Sequence, residues 1–107
     1  MAGLSDAKDK GNQLFKQGDY VGAISAYSVG LNVDIKGMQM PSNRADCIAL
    51  RTNRALCFLL LKQWDECCRD CTAALVLDPT CFKALYRRAK VCAITVLLLH
   101  LVRFSGV

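Results

Sequence analysis

Residues 53–90, NRALCFLLLKQWDECCRDCTAALVLDPTCFKALYRRAK, constrain the fold more than any other stretch of this chain. They read as one complete helix-turn-helix unit followed by the opening helix of another. Trp64, Cys67, Cys71 and Ala74 recur at three- and four-residue steps, the spacing that lines up side chains on one helix face. Pro79 closes the unit, because proline cannot continue a helix, and Thr80 is placed to cap the helix that follows. Ala89 then repeats Ala55 at a distance of 34 residues. Helices this short do not persist alone, since nucleation is costly. Each has to bury its apolar face on a neighbour, which is the logic of a stacked repeat.

An earlier copy of the unit precedes this stretch. Ser5 or Asp6 can cap a first helix running to about Gln17, with Ala7, Gly11, Leu14 and Phe15 on its apolar face. Gly18 supplies the left-handed residue on which helices often stop. Asp19 caps a second helix, whose stripe is Tyr20, Ala23, Ile24, Tyr27 and Leu31. Residues 34–41, with Gly37 and Pro41, read as a linker. Ser42 or Asn43 then starts a long helix reaching about Lys62, and Trp64 stands where Tyr20 stood. From Gly11 to Ala55 the step is 44 residues, ten more than the later period. RADCIALRTNR contains no breaker, so a lengthened third helix plus a short loop is expected to take up the excess.

At 107 residues and 53% apolar content the chain is long enough for one small domain with a real core. Its net charge of +5 favours acidic partners but lacks the dense basic patch of a nucleic-acid binder. Seven cysteines are an odd number, and the opening MAGLSDAKDKGN is not an apolar signal segment. A reduced, cytoplasmic setting is therefore expected, with cysteine serving as a small buried hydrophobe. Cys68 and Cys71 have zinc-like spacing but no second pair, so neither a metal nor a cofactor is expected. His100 has no nucleophile or acid in a recognisable relation to it, and no enzymatic activity is expected. The run from 91 to 104, VCAITVLLLHLVRF, falls short of the ~20 apolar residues a membrane span needs. It predicts an apolar continuation of the fifth helix and an exposed patch open to self-association.

A 34-residue helix-turn-helix period is the tetratricopeptide repeat (TPR) length. The chain resembles that family at Gly11, Ala23 and Tyr27 in the first copy, at Ala55, Trp64, Ala74 and Pro79 in the second, and at Tyr86 and Ala89 in the third. The resemblance covers about residues 5–91. It implies an all-α, right-handed superhelical array of helix hairpins, with two full repeats and the first helix of a third. Residues 92–107 depart from it as a divergent apolar extension, as a C-terminally truncated member would.

Stacked repeats of this kind turn their first helices toward a concave groove. Lys8 and Asn12 are four apart, Lys83 and Arg87 are four apart, and Asn53 lies two before the small Ala55. Each set avoids the apolar stripe of its helix. The pattern resembles the carboxylate clamp of TPR co-chaperones, in which such residues hold a partner's C-terminus. The resemblance implies that Lys8, Asn12, Asn53, Lys83 and Arg87 bind the acidic Glu-Glu-Val-Asp end of heat-shock chaperones of the 70 and 90 kDa classes. Arg54 and Arg88 would flank the clamp and raise its potential, Gln13 would lie near the peptide, and Phe15 is read as core. Two alternatives stay open. One is a scaffold for a different protein, since KDKGNQLFKQGDY also resembles TPR segments of axonemal dynein assembly factors. The other is a tail-anchored TPR protein. Neither nucleic acid nor membrane is the expected partner.

Overall fold

The computed structural model describes residues 4–36 and 44–105. These form five α-helices: α1 (Leu4–Lys16), α2 (Tyr20–Lys36), α3 (Arg44–Leu60), α4 (Trp64–Leu77) and α5 (Phe82–Ser105). The described residues contain no strand, and the expected all-α array of hairpins is what the chain forms.

The two hairpin turns have the same hydrogen-bond pattern. After α1, the Asp19 N–H donates to the Leu14 carbonyl and the Gly18 N–H to the Phe15 carbonyl. After α3, the Gln63 N–H donates to the Phe58 carbonyl and the Lys62 N–H to the Leu59 carbonyl. Both satisfy carbonyls left over at a helix end, and both require one left-handed residue. Gly18 takes that conformation at φ 81° and Lys62 at φ 63°. Asp19 then caps α2 as expected, its Oδ1 accepting the Gly22 N–H at 2.9 Å.

Other expected boundaries move. α1 begins at Leu4, so Ser5 and Asp6 lie inside it. There the negative charge of Asp6 suits the positive end of the helix dipole. α2 continues to Lys36, into the stretch read as linker; the rest of that linker, with Ser42 and Asn43, lies outside the described residues. The ten-residue excess is therefore not confined to the third helix. α3 has 17 residues against 13 in α1, and α2 has 17 against 14 in α4. Thr80 does not cap α5. Its N–H and hydroxyl both donate to Asp78 Oδ1, at 3.0 and 2.7 Å, closing a turn around Pro79 before the helix opens at Phe82.

α3 is the central element. It packs on α1, α2, α4 and α5. Its Cys47, Leu50 and Cys57 belong to a core shared with Ala23, Tyr27 and Leu31 of α2. Its Ala55 and Leu59 belong to a second core with Cys67, Cys71 and Ala74 of α4 and Ala84 and Val91 of α5. Two glycines let helices approach closely. A Cβ on Gly11 would collide with the Tyr27 ring, and one on Gly30 would lie 2.7 Å from the Ala7 methyl. α5 is about 36 Å long at 1.5 Å per residue, against about 21 Å for α4, so it outruns its partner. Its far portion exposes Val96, Leu97, Leu98 and Leu99. Among the described residues no helix is long and apolar enough to cross a membrane.

Candidate functional site

The first helices of the successive units, α1, α3 and α5, lie side by side, with α3 touching both of the others. On α1 and α3 the side chains of Asn12, Phe15, Lys16, Asn53 and Leu56, together with Tyr27 of α2, line a hollow of about 210 Å³. Its apolar wall is Phe15 and Leu56, and its polar wall is the pair of amides. Phe15 packs on the core as expected and also lines the hollow.

The amides are wired together. Asn12 Oδ1 accepts from the Tyr27 hydroxyl at 2.6 Å and from Asn53 Nδ2 at 3.2 Å. Burial pushes the Tyr27 phenol up to about 12, so its hydroxyl stays protonated and donates. With its oxygen occupied by two internal donors, Asn12 has its NH₂ group left for a further contact. That group is a donor, suited to an oxygen ligand.

Three of the five expected residues lie around this junction rather than in the hollow itself. Lys8, one turn before Asn12, sits with its Nζ 3.1 Å from Asp46 Oδ1 of α3. Arg87 of α5 crosses to α3, where Nη1 donates to the Thr52 carbonyl at 2.6 Å, one residue before Asn53. Burial lowers the Arg87 pKa from its ordinary value, yet a guanidinium remains cationic in a protein. Lys83, one turn before Arg87, is exposed. The structure therefore joins Asn12 directly to Asn53, draws Arg87 up beside Asn53, and sets Lys8 and Lys83 one helical turn away along α1 and α5.

Arg54 has a different task from the one expected. Its Nε and Nη2 meet the two carboxylate oxygens of Asp70 at 2.7 and 2.6 Å, and its Nη1 reaches the Ser28 hydroxyl at 2.9 Å. Its guanidinium also lies 5.9 Å from the Phe58 ring centroid. Asp70 is 2% exposed, and Arg51 Nη1 stands 3.6 Å from its Oδ1, the oxygen that Arg54 Nη2 also meets. Arg54 is thus a cross-tie between α3, α4 and α2, not a flank of the groove. Arg88 stands near Cys68 and Cys71 of α4, where its charge favours their thiolates slightly. Sequence reasoning also missed Asp46 and Asp70. The available signal for Asp70 was an acid on the buried side of α4, one residue before Cys71.

Cys67 and Cys71 occupy packing positions, both fully buried. Their thiols are hydrogen-bonded, and that bond with burial holds Cys67 protonated, well above the ordinary thiol range. Burial pushes Cys57 up to about 11. Held protonated, Cys67 and Cys57 are poor nucleophiles and poor ligands at neutral pH, whereas the hydrogen bond from Cys67 lowers the Cys71 pKa. Among the described residues no three or more His, Cys, Asp or Glu side chains are grouped to hold a metal ion.

No family model matches the chain. It is 41% identical over 85 residues to the mitochondrial import receptor subunit TOM70 of Rattus norvegicus, a match covering 78% of this chain and 13% of that one. It is 42% identical over 82 residues to sperm-associated antigen 1 of Homo sapiens, covering 77% and 8% respectively. The chain thus spans a small fraction of the length of these relatives. Among solved structures, the second TPR of Spaghetti (RPAP3) bound to the HSP90 peptide SRMEEVD superposes with a TM-score of 0.74 at 33% identity, covering 89% of this chain and 79% of that one. The Hsp90 co-chaperone Cns1 from Saccharomyces cerevisiae gives 0.73 at 33% identity, covering 82% and 26%. A hairpin period legible in the residues, turns of one hydrogen-bond pattern and this likeness along most of its length together place the chain in the tetratricopeptide-repeat family, among repeat proteins of the co-chaperone type.

Proposed function

We propose that this chain is a non-enzymatic adaptor that captures the acidic C-terminus of heat-shock chaperones of the 70 and 90 kDa classes, with Lys8, Asn12, Asn53, Lys83 and Arg87 as a two-carboxylate clamp. The observation that carries the reading is the position of Asn53. It is bonded to Asn12 of α1 on one side, and Arg87 of α5 reaches its neighbour Thr52 on the other. Contacts from α1 and α5 thus fall on adjacent residues of α3, Asn53 and Thr52, beside a hollow with an apolar wall. The likeness to a TPR bound to an HSP90 peptide ending in Glu-Glu-Val-Asp supports the same ligand class.

The chemistry suits a C-terminal aspartate, which offers two carboxylates on one residue. Lys8, Lys83 and Arg87 supply cationic donors, and the amides donate without adding charge repulsion. Each charge-assisted bond contributes roughly 1.5–3 kcal/mol net. A few of them, less the ordering of a flexible tail, correspond to a Kd on the order of 1 μM, about −8 kcal/mol. Salt weakens such binding.

The test is a titration with a peptide ending Glu-Glu-Val-Asp, beside the same peptide amidated at its C-terminus. Lys83→Glu is the cleanest variant, because Lys83 is exposed. It is expected to weaken binding about tenfold or more with the helical signal unchanged. Arg87→Glu should weaken binding too, but Arg87 also ties α5 to α3, so a change in stability accompanies it. Equal affinity for the amidated peptide, or for Lys83→Glu, returns the chain to the scaffold reading.

A further inference from the structure

Two polar links between α1 and α3 involve clamp residues, and the second brings in an acid that the clamp does not include. Asn12 meets Asn53. One turn back along α1, Lys8 meets Asp46, which lies seven residues before Asn53. Seven residues are close to two helical turns, so Asp46 and Asn53 share one face of α3, as Lys8 and Asn12 share one face of α1. Asp46 therefore stands on the same line as the clamp residues, with the opposite charge to the lysine it holds.

We infer that Asp46 is an internal competitor for the groove: its carboxylate occupies Lys8 and sets the affinity of the site for acidic chain ends. The inference rests on the clamp reading given above. The ammonium of Lys8 has three N–H donors, and Asp46 takes one of them. An incoming carboxylate must share Lys8 with a second anion or displace it, and like charges at that separation repel. Both side chains are about 30% exposed, 30% for Lys8 and 31% for Asp46, so the pair is reachable and loose enough to be displaced. Asp46 also sits in the first turn of α3, where a negative charge is favoured by the helix dipole. The displaced carboxylate therefore keeps a local partner, which makes the exchange reversible.

The experiment is a double-mutant cycle on peptide affinity at fixed low ionic strength, using the peptide ending Glu-Glu-Val-Asp. Unchanged chain, Asp46→Asn, Lys8→Met and the double variant are compared, with Asp65→Asn, an exposed acid of α4, as the control for net charge. Asp46→Asn is expected to tighten binding about three- to tenfold and Asp65→Asn less than about twofold. In the Lys8→Met background the gain from Asp46→Asn should shrink to less than half. If Asp46→Asn lowers helicity, Asp46→Ser is read in its place. If the unchanged chain binds the peptide while Asp46→Asn binds equally or more weakly, Asp46 is holding Lys8 ready for the ligand and the competitor role is overturned. A gain that persists undiminished without Lys8 overturns it as well. If the unchanged chain binds no such peptide, the clamp reading itself falls, and this inference with it.

Discussion

Forty-four residues separate equivalent positions of the α1–α2 and α3–α4 hairpins, and at those positions the two are built differently. Gly11 lies under the Tyr27 ring in the first, whereas Ala55 and Cys71 stand there in the second. The first thus sets one large ring over a residue with no side chain, and the second sets two small side chains together. Gly18 takes the left-handed turn of the first and Lys62 that of the second. Asp19 caps α2, while Gln63, in the same place before α4, makes no side-chain cap. The first hairpin follows local rules closely. The second breaks two of them and adds the pair of half-buried Arg54 with buried Asp70 and a core shared with α5. Both hairpins bury a core against α3, but the first adds a glycine turn and a side-chain cap, and the second adds a charged cross-tie in their place.

The contrast can be broken most severely at Asp70. Asp70→Ala leaves the Arg54 guanidinium without its carboxylate in a mostly buried place, and should cost about 3 kcal/mol, read as a drop in urea midpoint. A cost under ~1 kcal/mol would mean that the second hairpin does not depend on its cross-tie. Next in size, Gly11→Ala should cost about 1–3 kcal/mol by forcing a methyl into the Tyr27 ring. Adding Tyr27→Cys, which copies the second hairpin's pairing, should make the methyl itself less costly, so that the two changes are non-additive. Additive losses would show that ring and glycine are not a matched pair.

Smaller effects sharpen the comparison at the turns. Asp19→Ala should lose about 1 kcal/mol with its capping bond, while Gln63→Ala, having no such bond to lose, should change thermal stability by less than ~0.5 kcal/mol. Equal effects from the two would erase the distinction in capping. Lys62→Gly should stabilise by roughly 0.5–1 kcal/mol, because glycine enters the left-handed region without the Cβ penalty. A loss of stability there would mean that Lys62 contributes a packing contact worth more than its backbone strain.

Local signals are legible in the residues themselves. Gly18 and Asp19 mark the first turn, Trp64 the start of α4 and Pro79 its end, and each is where the chain turns. The exposed apolar run of α5 is legible in the unbroken VLLL around residue 97. Boundaries without a strong local signal are misplaced, as at Lys36, where nothing before Gly37 stops a helix. Thr80 is misassigned because Asp78 competes for its N–H and hydroxyl, a choice that composition does not rank. Arg54 is misassigned for a longer-range reason. Its partner is 16 residues away on another helix, and spacing along α3 says nothing about what faces it. The same holds for Lys8 and Asp46, 38 residues apart.

The sequence alone determined that this chain forms hairpins, where most of them turn and which polar residues stand clear of the apolar stripes. Those properties come from backbone sterics and side-chain periodicity within a few residues. Tertiary structure alone decided which cations are held by internal acids and that the Asn12 amide of α1 bonds to both α2 and α3. Such pairings depend on how helices distant in sequence are brought within about 3 Å of one another, and no local spacing encodes that.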